Sequence, residues 1–196
     1  MHAKERLDRE FFERPTLKVA RDLLGKVLVR RTKERRLRAL ISETEAYIGE
    51  TDLASHARFG RTKRNAVMYG PGGVWYVYLV YGIHWLLNAV TERQNRPEAV
   101  LIRSAVLMDS GRVLGPGGLT KVLGIDGAFT GKSVTSRDLF VEDAGIRPDW
   151  VEAKPRVGID YAGAYKHKKW RFVFHSEQAV DNEAHPIPSP RSRRKH

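Results

Sequence analysis

Two ring-rich runs placed back to back set the tightest constraint on this chain. Val74-Trp-Tyr-Val-Tyr-Leu-Val80 is strand-like, and apolar strand character resumes at Ile83-His-Trp-Leu-Leu-Asn-Ala-Val90. With Tyr81-Gly82 at the junction, the two runs are expected to fold back on one another as a β-hairpin. Loop length then decides the register. A two-residue loop at 81–82 pairs Val80 with Ile83 and sends Asn88 to the face opposite Tyr78. A three-residue loop pairs Tyr76 with Asn88 and puts Tyr76, Tyr78 and Asn88 on one face. A slip of one residue therefore decides whether the polar Asn88 joins the aromatic face. The three-residue loop is preferred, because a lone Asn among apolar neighbours needs polar company. Core packing suffices to explain Trp75, Tyr76 and Trp85. Tyr81 differs: a ring at a hairpin tip stands clear of the body, where it can act as a wedge into a base stack.

The second constraint is Ile41-Ser-Glu-Thr-Glu-Ala-Tyr47. Strand alternation sends Ile41, Glu43, Glu45 and Tyr47 to one face and Ser42, Thr44 and Ala46 to the other. An acid beside buried rings is desolvated, which raises its pKa and makes it a usable base near neutral pH. Solvated strand positions are the plainer reading, and spacing does not choose between Glu43 and Glu45. Arg103 lies in the apolar run Ala99–Leu107. If it faces inward it needs a counter-charge, and Glu45 or Glu43 is the candidate.

Charge says what such a site would work on. Lys and Arg number 35 against 23 Asp and Glu, a net charge of +12. That balance points to a polyanionic partner, nucleic acid first. The chain has no cysteine, so disulfides, thiolate nucleophiles and Cys-ligated zinc are excluded. The charged start Met-His-Ala-Lys-Glu-Arg lacks a signal-peptide core, and no apolar run reaches the about 18 residues of a membrane span. The expectation is a soluble intracellular protein without a membrane partner. Gly131-Lys132-Ser133 resembles the end of a phosphate-binding loop, but the leading glycine position holds Asp126, so no nucleotide cofactor is expected. Asp52 and His56, four apart, are a conceivable metal pair with Glu43 or Glu45. A capping Asp and a hydrogen-bonded His is the plainer reading, and no metal is expected.

Elsewhere, residues 1–14 are charged, with Phe11 and Phe12 as an anchor. Thr16 reads as an N-cap opening a short helix whose inner face is Leu17, Ala20, Leu23 and Leu24, closed by Gly25. Strands are expected at Lys26–Arg31, Leu37–Tyr47, Ala99–Leu107, Arg156–Ile159 and Trp170–Phe174. Helical turns are expected within Asp52–Phe59 and Leu119–Leu123, and Arg61-Thr-Lys-Arg-Asn65 forms a basic loop. One domain over 1–185 is expected, with a disordered basic Pro/Ser/Arg-rich tail at 186–196. The fold class is mixed α/β (α+β): a curved, mostly antiparallel sheet, short helices around it, and a protruding hairpin.

Glu43-Thr-Glu-Ala-Tyr47, Ser55-His56, Arg64-Asn65, Tyr76-Val-Tyr78, Tyr81-Gly82, Asn88 and Leu101-Ile-Arg103, in this order and spacing, resemble the alkyladenine (3-methyladenine) DNA glycosylase family. Phe11-Phe12, Ala20–Gly25 and Arg156-Val-Gly158 extend the likeness over about residues 5–180, and the compact chain is similar to bacterial members. The resemblance implies a monofunctional, cofactor-free enzyme that flips a damaged purine from double-stranded DNA and hydrolyses its N-glycosidic bond. It implies Glu45 as the base activating water, with Arg103 and the main-chain carbonyl of Val157 holding that water. Tyr47, His56 and Tyr78 would sandwich the base, Asn88 would exclude normal guanine, Tyr81 would fill the gap in the duplex and Arg64 would meet the DNA backbone. A monomer in the cytoplasm, associated with the nucleoid, is expected. Two rival readings remain at this point: a non-catalytic stacking module for DNA or RNA, and a metal-dependent nuclease built on Glu43, Glu45, Asp52 and His56.

Overall fold

The computed structural model describes residues 5–177. In chain order its elements are β1 (Glu5–Arg6), α1 (Arg9–Phe12), α2 (Thr16–Asp22), β2 (Val27–Arg31), β3 (Arg36–Ile48), β4 (Trp75–Val80), β5 (His84–Thr91), β6 (Glu98–Leu107), β7 (Val113–Leu114), α3 (Pro116–Leu123), β8 (Leu139–Asp143), β9 (Trp150–Lys154) and β10 (Arg171–His175). The ten strands form one open, wholly antiparallel sheet: seven run in the order β1-β8-β2-β3-β6-β5-β4, while β10 pairs β3 and β9, and β7 pairs β6. β3 is the hub. At 13 residues it is long enough to pair β2 with its first half and β10 with its second, while β6 runs along its other edge.

The core lies between the sheet and the two longer helices. Val19, Ala20 and Leu23 at α2 and Leu119 and Leu123 of α3 pack with Ile41, Trp75, Leu87 and Ile102. Burying a residue of this size yields about 1.5–3 kcal/mol. Trp75 is fully buried and donates its indole N–H to the Leu139 carbonyl, so its polar handle is satisfied. Phe12 is also fully buried, which anchors the N-terminal segment as expected.

β4 and β5 take the register expected of a three-residue loop. Val80 pairs with His84 and Tyr76 with Asn88, leaving Tyr81, Gly82 and Ile83 as the turn. Tyr81 adopts the left-handed conformation at φ 52°, and its ring is 90% exposed.

Three expectations need correction. Ile41 does not share a face with Glu43, Glu45 and Tyr47. Ser42 is an extra residue on β3 and Arg103 an extra residue on β6, so the ladder shifts twice between Ile41 and Thr44. Before this double bulge Ala39 and Ile41 face the core; after it Thr44 and Ala46 do, with Thr44 donating its hydroxyl to the Ala20 carbonyl. Thr16 is not an N-cap: Pro15 occupies that position, and the Thr16 hydroxyl is drawn sideways to Thr91 and Glu98. Arg156–Ile159 is not a strand. The preceding strand ends before Pro155, which lacks a ladder donor, and Gly158 turns the chain at φ 72°. Within Asp52–Phe59 the helical turn is confined to a 3₁₀ segment, His56–Phe59. Strand β8, Leu139–Asp143, was not anticipated. The tail at 186–196 and the domain boundary at 185 lie outside the described residues.

Candidate active site

The bulges deliver two charges to one point. Glu45, on the half of β3 that has switched face, is 1% exposed. The Tyr47 hydroxyl donates to its Oε2 at 2.8 Å, and the main-chain N–H of Val157 donates to Oε1 at 3.0 Å. Arg103 Nε approaches Oε1 to 3.2 Å, yet it is not aligned along its N–H and has no hydrogen-bond partner among the described residues. Burial raises the Glu45 pKa above the ordinary carboxylate value, while the Val157 N–H, the Tyr47 hydroxyl and Arg103 pull it back in that order. The Tyr47 phenol is pushed well up by burial and then by the Glu45 charge, so it stays a donor across the working pH range. Glu43 has a different fate: it is more exposed, Arg171 grips it at 2.7 Å, and Arg103 is 3.8 Å away.

Beside this carboxylate opens a recess lined by Tyr47, His56, Tyr76, Tyr78, Asn88 and small apolar groups. One wall is a cluster of rings. His56 and Tyr78 meet edge to face with centroids 4.5 Å apart, and Tyr76 lies 5.2 Å from Tyr78. His56 Nδ1 is 2.8 Å from the Tyr76 hydroxyl. Burial, and then Arg64 and Arg58, lower the His56 pKa to about 4, so the ring is neutral at physiological pH. Asn88 is buried at the floor with its Nδ2 donating to the Tyr76 and Leu86 carbonyls, which fixes the orientation of the amide. The three-residue hairpin loop is what brings Asn88 here. At the rim, Arg64 donates to the Leu79 carbonyl at 2.9 Å with its guanidinium 5.4 Å from the Tyr78 ring centre. Tyr81 stands apart from the recess, at the hairpin tip.

The structure thus gathers Glu45, Tyr47, Arg103 and Val157 at one point, and His56, Tyr78 and Asn88 in the adjoining recess. For Val157 the group touching Glu45 is the amide N–H rather than the carbonyl. Three further residues hold the site together. Asp52 and Arg156 form a fully buried bidentate pair at 2.5 and 2.8 Å. Arg156 also donates to the Ala46 carbonyl and packs between the Tyr47 and Trp170 rings, 4.8 and 5.0 Å from their centres. Asp52 further accepts the Ile48 and Ala54 amides. Asn65 donates to the His56 and Gly60 carbonyls, holding the 3₁₀ turn that carries His56. The Asp52–Arg156 pairing carries no short-range signal, because its partners are 104 residues apart, whereas Asn65 acts locally on the His56 and Gly60 carbonyls.

The metal reading of Asp52 and His56 fails on the same geometry. Both Asp52 oxygens are committed to Arg156 and to backbone amides, and His56 Nδ1 faces Tyr76. Among the described residues no three His, Asp or Glu side chains converge as a metal site.

The chain is similar to proteins of one family. Residues 10–178 match the family model described as methylpurine-DNA glycosylase (MPG). A protein of Anaeromyxobacter sp. (strain Fw109-5) is 44% identical over 97% of this chain and 100% of its own length. One of Methanocella arvoryzae is 43% identical over 91% of this chain and 96% of its own, and one of Psychrobacter cryohalolentis is 46% identical over 84% and 89%. All three bear the name "Putative 3-methyladenine DNA glycosylase". The chain therefore belongs to the methylpurine-DNA glycosylase family, and it is a DNA glycosylase, a base-excision repair hydrolase that acts on DNA.

Proposed function

We propose that this glycosylase extrudes alkylated or deaminated purines from duplex DNA and hydrolyses the N-glycosidic bond with a water activated by Glu45. The lesion class comprises 3-methyladenine, 7-methylguanine, hypoxanthine and ethenoadenine. The observation that carries the reading is the buried Glu45 carboxylate, its pKa raised, hydrogen-bonded to the Tyr47 ring that lines the aromatic recess. Water oxygen attacks C1′ of the sugar, the bond from C1′ to the base nitrogen breaks, and its electron pair leaves with the base. Glu45 takes the water proton. Arg103 Nε, a buried donor without an aligned protein acceptor, sits beside Glu45 Oε1 where it can hold that water. The Val157 amide fixes the carboxylate itself. General-base assistance of this kind is worth about 10²–10⁴-fold.

The recess suits a cationic base. Ring alkylation gives the purine a positive charge, which makes it a good leaving group and favours stacking on electron-rich rings. Tyr47 and Tyr78 remain phenols, and His56, with its pKa near 4, adds no opposing charge. The Asn88 amide, fixed by the Tyr76 and Leu86 carbonyls, would clash with the exocyclic amino group of normal guanine. Extrusion costs a few kcal/mol. Tyr81, exposed at the hairpin tip, would fill the gap in the stack, and Arg64 at the rim would meet a phosphate. No lysine lies among the residues gathered here, so the abasic product is left without a strand-cleaving lyase step. One chain carries the whole site, which fits a monomer.

The test incubates the protein in EDTA with a methylated duplex and with a duplex carrying one hypoxanthine, for wild type and Glu45→Gln. Base release that survives EDTA and falls by at least 10²-fold in the variant is expected. Release by Glu45→Gln at the wild-type rate overturns the assignment. Strand breaks without alkali treatment overturn the monofunctional reading.

A further inference from the structure

Next to the base recess, and sharing His56 with it, is a second hollow of about 330 Å³ that the proposed reaction leaves unused. Its outer walls are Phe59, 77% exposed at the end of the 3₁₀ turn, and Tyr161, 63% exposed on the loop that follows Val157. Between them lies Arg58, its guanidinium 4.4 Å from the Phe59 ring centre and 4.9 Å from that of Tyr161. Arg58 is tethered by a hydrogen bond to the Leu53 carbonyl at 3.1 Å, so the cation is held in place. Arg64 also lines the hollow, and Arg61 and Lys63 stand on the loop that precedes Arg64.

Two large rings left in water around a fixed guanidinium contribute little to the core. They do have the composition of a single-strand binding site: aromatic faces for a base and cations for the backbone. Bases that stay paired keep their neighbours in the helix and have no need of such faces. An unpaired one gains by moving onto them.

We propose that this hollow takes the nucleotide adjoining the flipped one on the same strand when that nucleotide is unpaired. Its base stacks against the faces of Phe59 and Tyr161 that Arg58 leaves open, and its phosphate lies against Arg58 and Arg64. The inference rests on the proposed extrusion of a base into the neighbouring recess. It implies that the enzyme accepts lesions in single-stranded or locally melted DNA as well as in duplex.

The test is a thermodynamic cycle on binding, so it does not depend on catalysis. Affinity of Glu45→Gln, alone and with Phe59→Ala and Tyr161→Ala added, is measured for hypoxanthine-bearing single strands. In one set the nucleotide on either side of the lesion is intact; in another it is abasic. Both rings are exposed, so their removal leaves the core unaltered. With the rings present, loss of one neighbouring base is expected to weaken binding about tenfold, the loss typical of one stacked base. With the rings removed, the same change should cost less than twofold. In fully paired duplex the two proteins should respond alike. Equal penalties with and without the rings overturn the proposal, as does a ring effect of the same size in duplex. A wild type that binds as expected but releases no base refutes the proposed reaction and leaves this docking site standing.

Discussion

Two carboxylates on one stretch of chain, Glu45 and Asp52, each meet an arginine from a distant segment, and the two pairs are built for opposite ends. Asp52 and Arg156 are fully buried and meet edge to edge, and Asp52 accepts two backbone amides besides. Glu45 and Arg103 touch at a single approach of 3.2 Å with the Nε–H misdirected, and Arg103 is partly open to solvent. The first pair has its hydrogen-bonding capacity nearly filled, with only Arg156 Nε left over. The second keeps acceptor and donor capacity side by side for something else. A satisfied buried pair locks a structure; an under-satisfied one is a place for chemistry.

The pairs are also linked. Arg156 presses on the Tyr47 ring, and Tyr47 donates to Glu45. Arg156 is followed directly by Val157, whose amide holds the other Glu45 oxygen. The locked pair therefore positions both groups that orient the reactive one.

Substitutions should separate the two roles. The largest effect on rate is expected from Glu45→Gln, a fall in single-turnover base release of about 10²–10⁴-fold. Its stability should not suffer. A carboxyl whose folded pKa is raised contributes stability below its unfolded pKa and loses it as pH rises through the folded value, so charged Glu45 is a burden at neutral pH. Urea unfolding at pH 7 should give a midpoint equal to or above wild type. Arg156→Met should show the reverse pattern. Leaving Asp52 buried and unpaired should cost about 3–5 kcal/mol in urea unfolding, with activity falling only as far as Tyr47 and Val157 shift. If Arg156→Met unfolds like wild type, the structural role assigned to the pair is wrong.

A smaller change sharpens the link. Tyr47→Phe removes a hydrogen bond that lowers the Glu45 pKa, so the acid limb of the pH–rate profile should move to higher pH. An unmoved limb would mean that Tyr47 does not tune the base. A separate effect is on stability in acid. His56 has a folded pKa near 4 against 6.5 in an unfolded chain, so the unfolded state binds more protons between those values. Its contribution to stability is present above pH 6.5 and is lost as pH falls toward 4. His56→Gln should flatten that part of the wild-type stability profile.

The hairpin was legible because register is arithmetic: one buried Asn and a tyrosine two residues from its partner position chose the loop. Glu45 and Tyr47 were legible as neighbours on one face because alternation holds locally. Ile41 was not, since a double bulge between β3 and β6 depends on the partner strand and leaves no mark in one run of sequence. Arg103 could be matched to an acid because a charge in an apolar strand demands a partner. Nothing in the sequence matches Asp52 to Arg156, because the two lie 104 residues apart and meet only through the tertiary fold. The apolar run of β8 was overlooked, and with it the partner of β2.

The central claim is that a buried, uphill carboxylate at position 45 takes the proton from water. The most direct measurement is the pH dependence of single-turnover release of hypoxanthine from duplex DNA, for wild type and Glu45→Gln. The account predicts an acid limb in wild type centred above the ordinary range of glutamate, and a low, flat profile in the variant. A limb that survives the substitution, or a variant as fast as wild type, would contradict it.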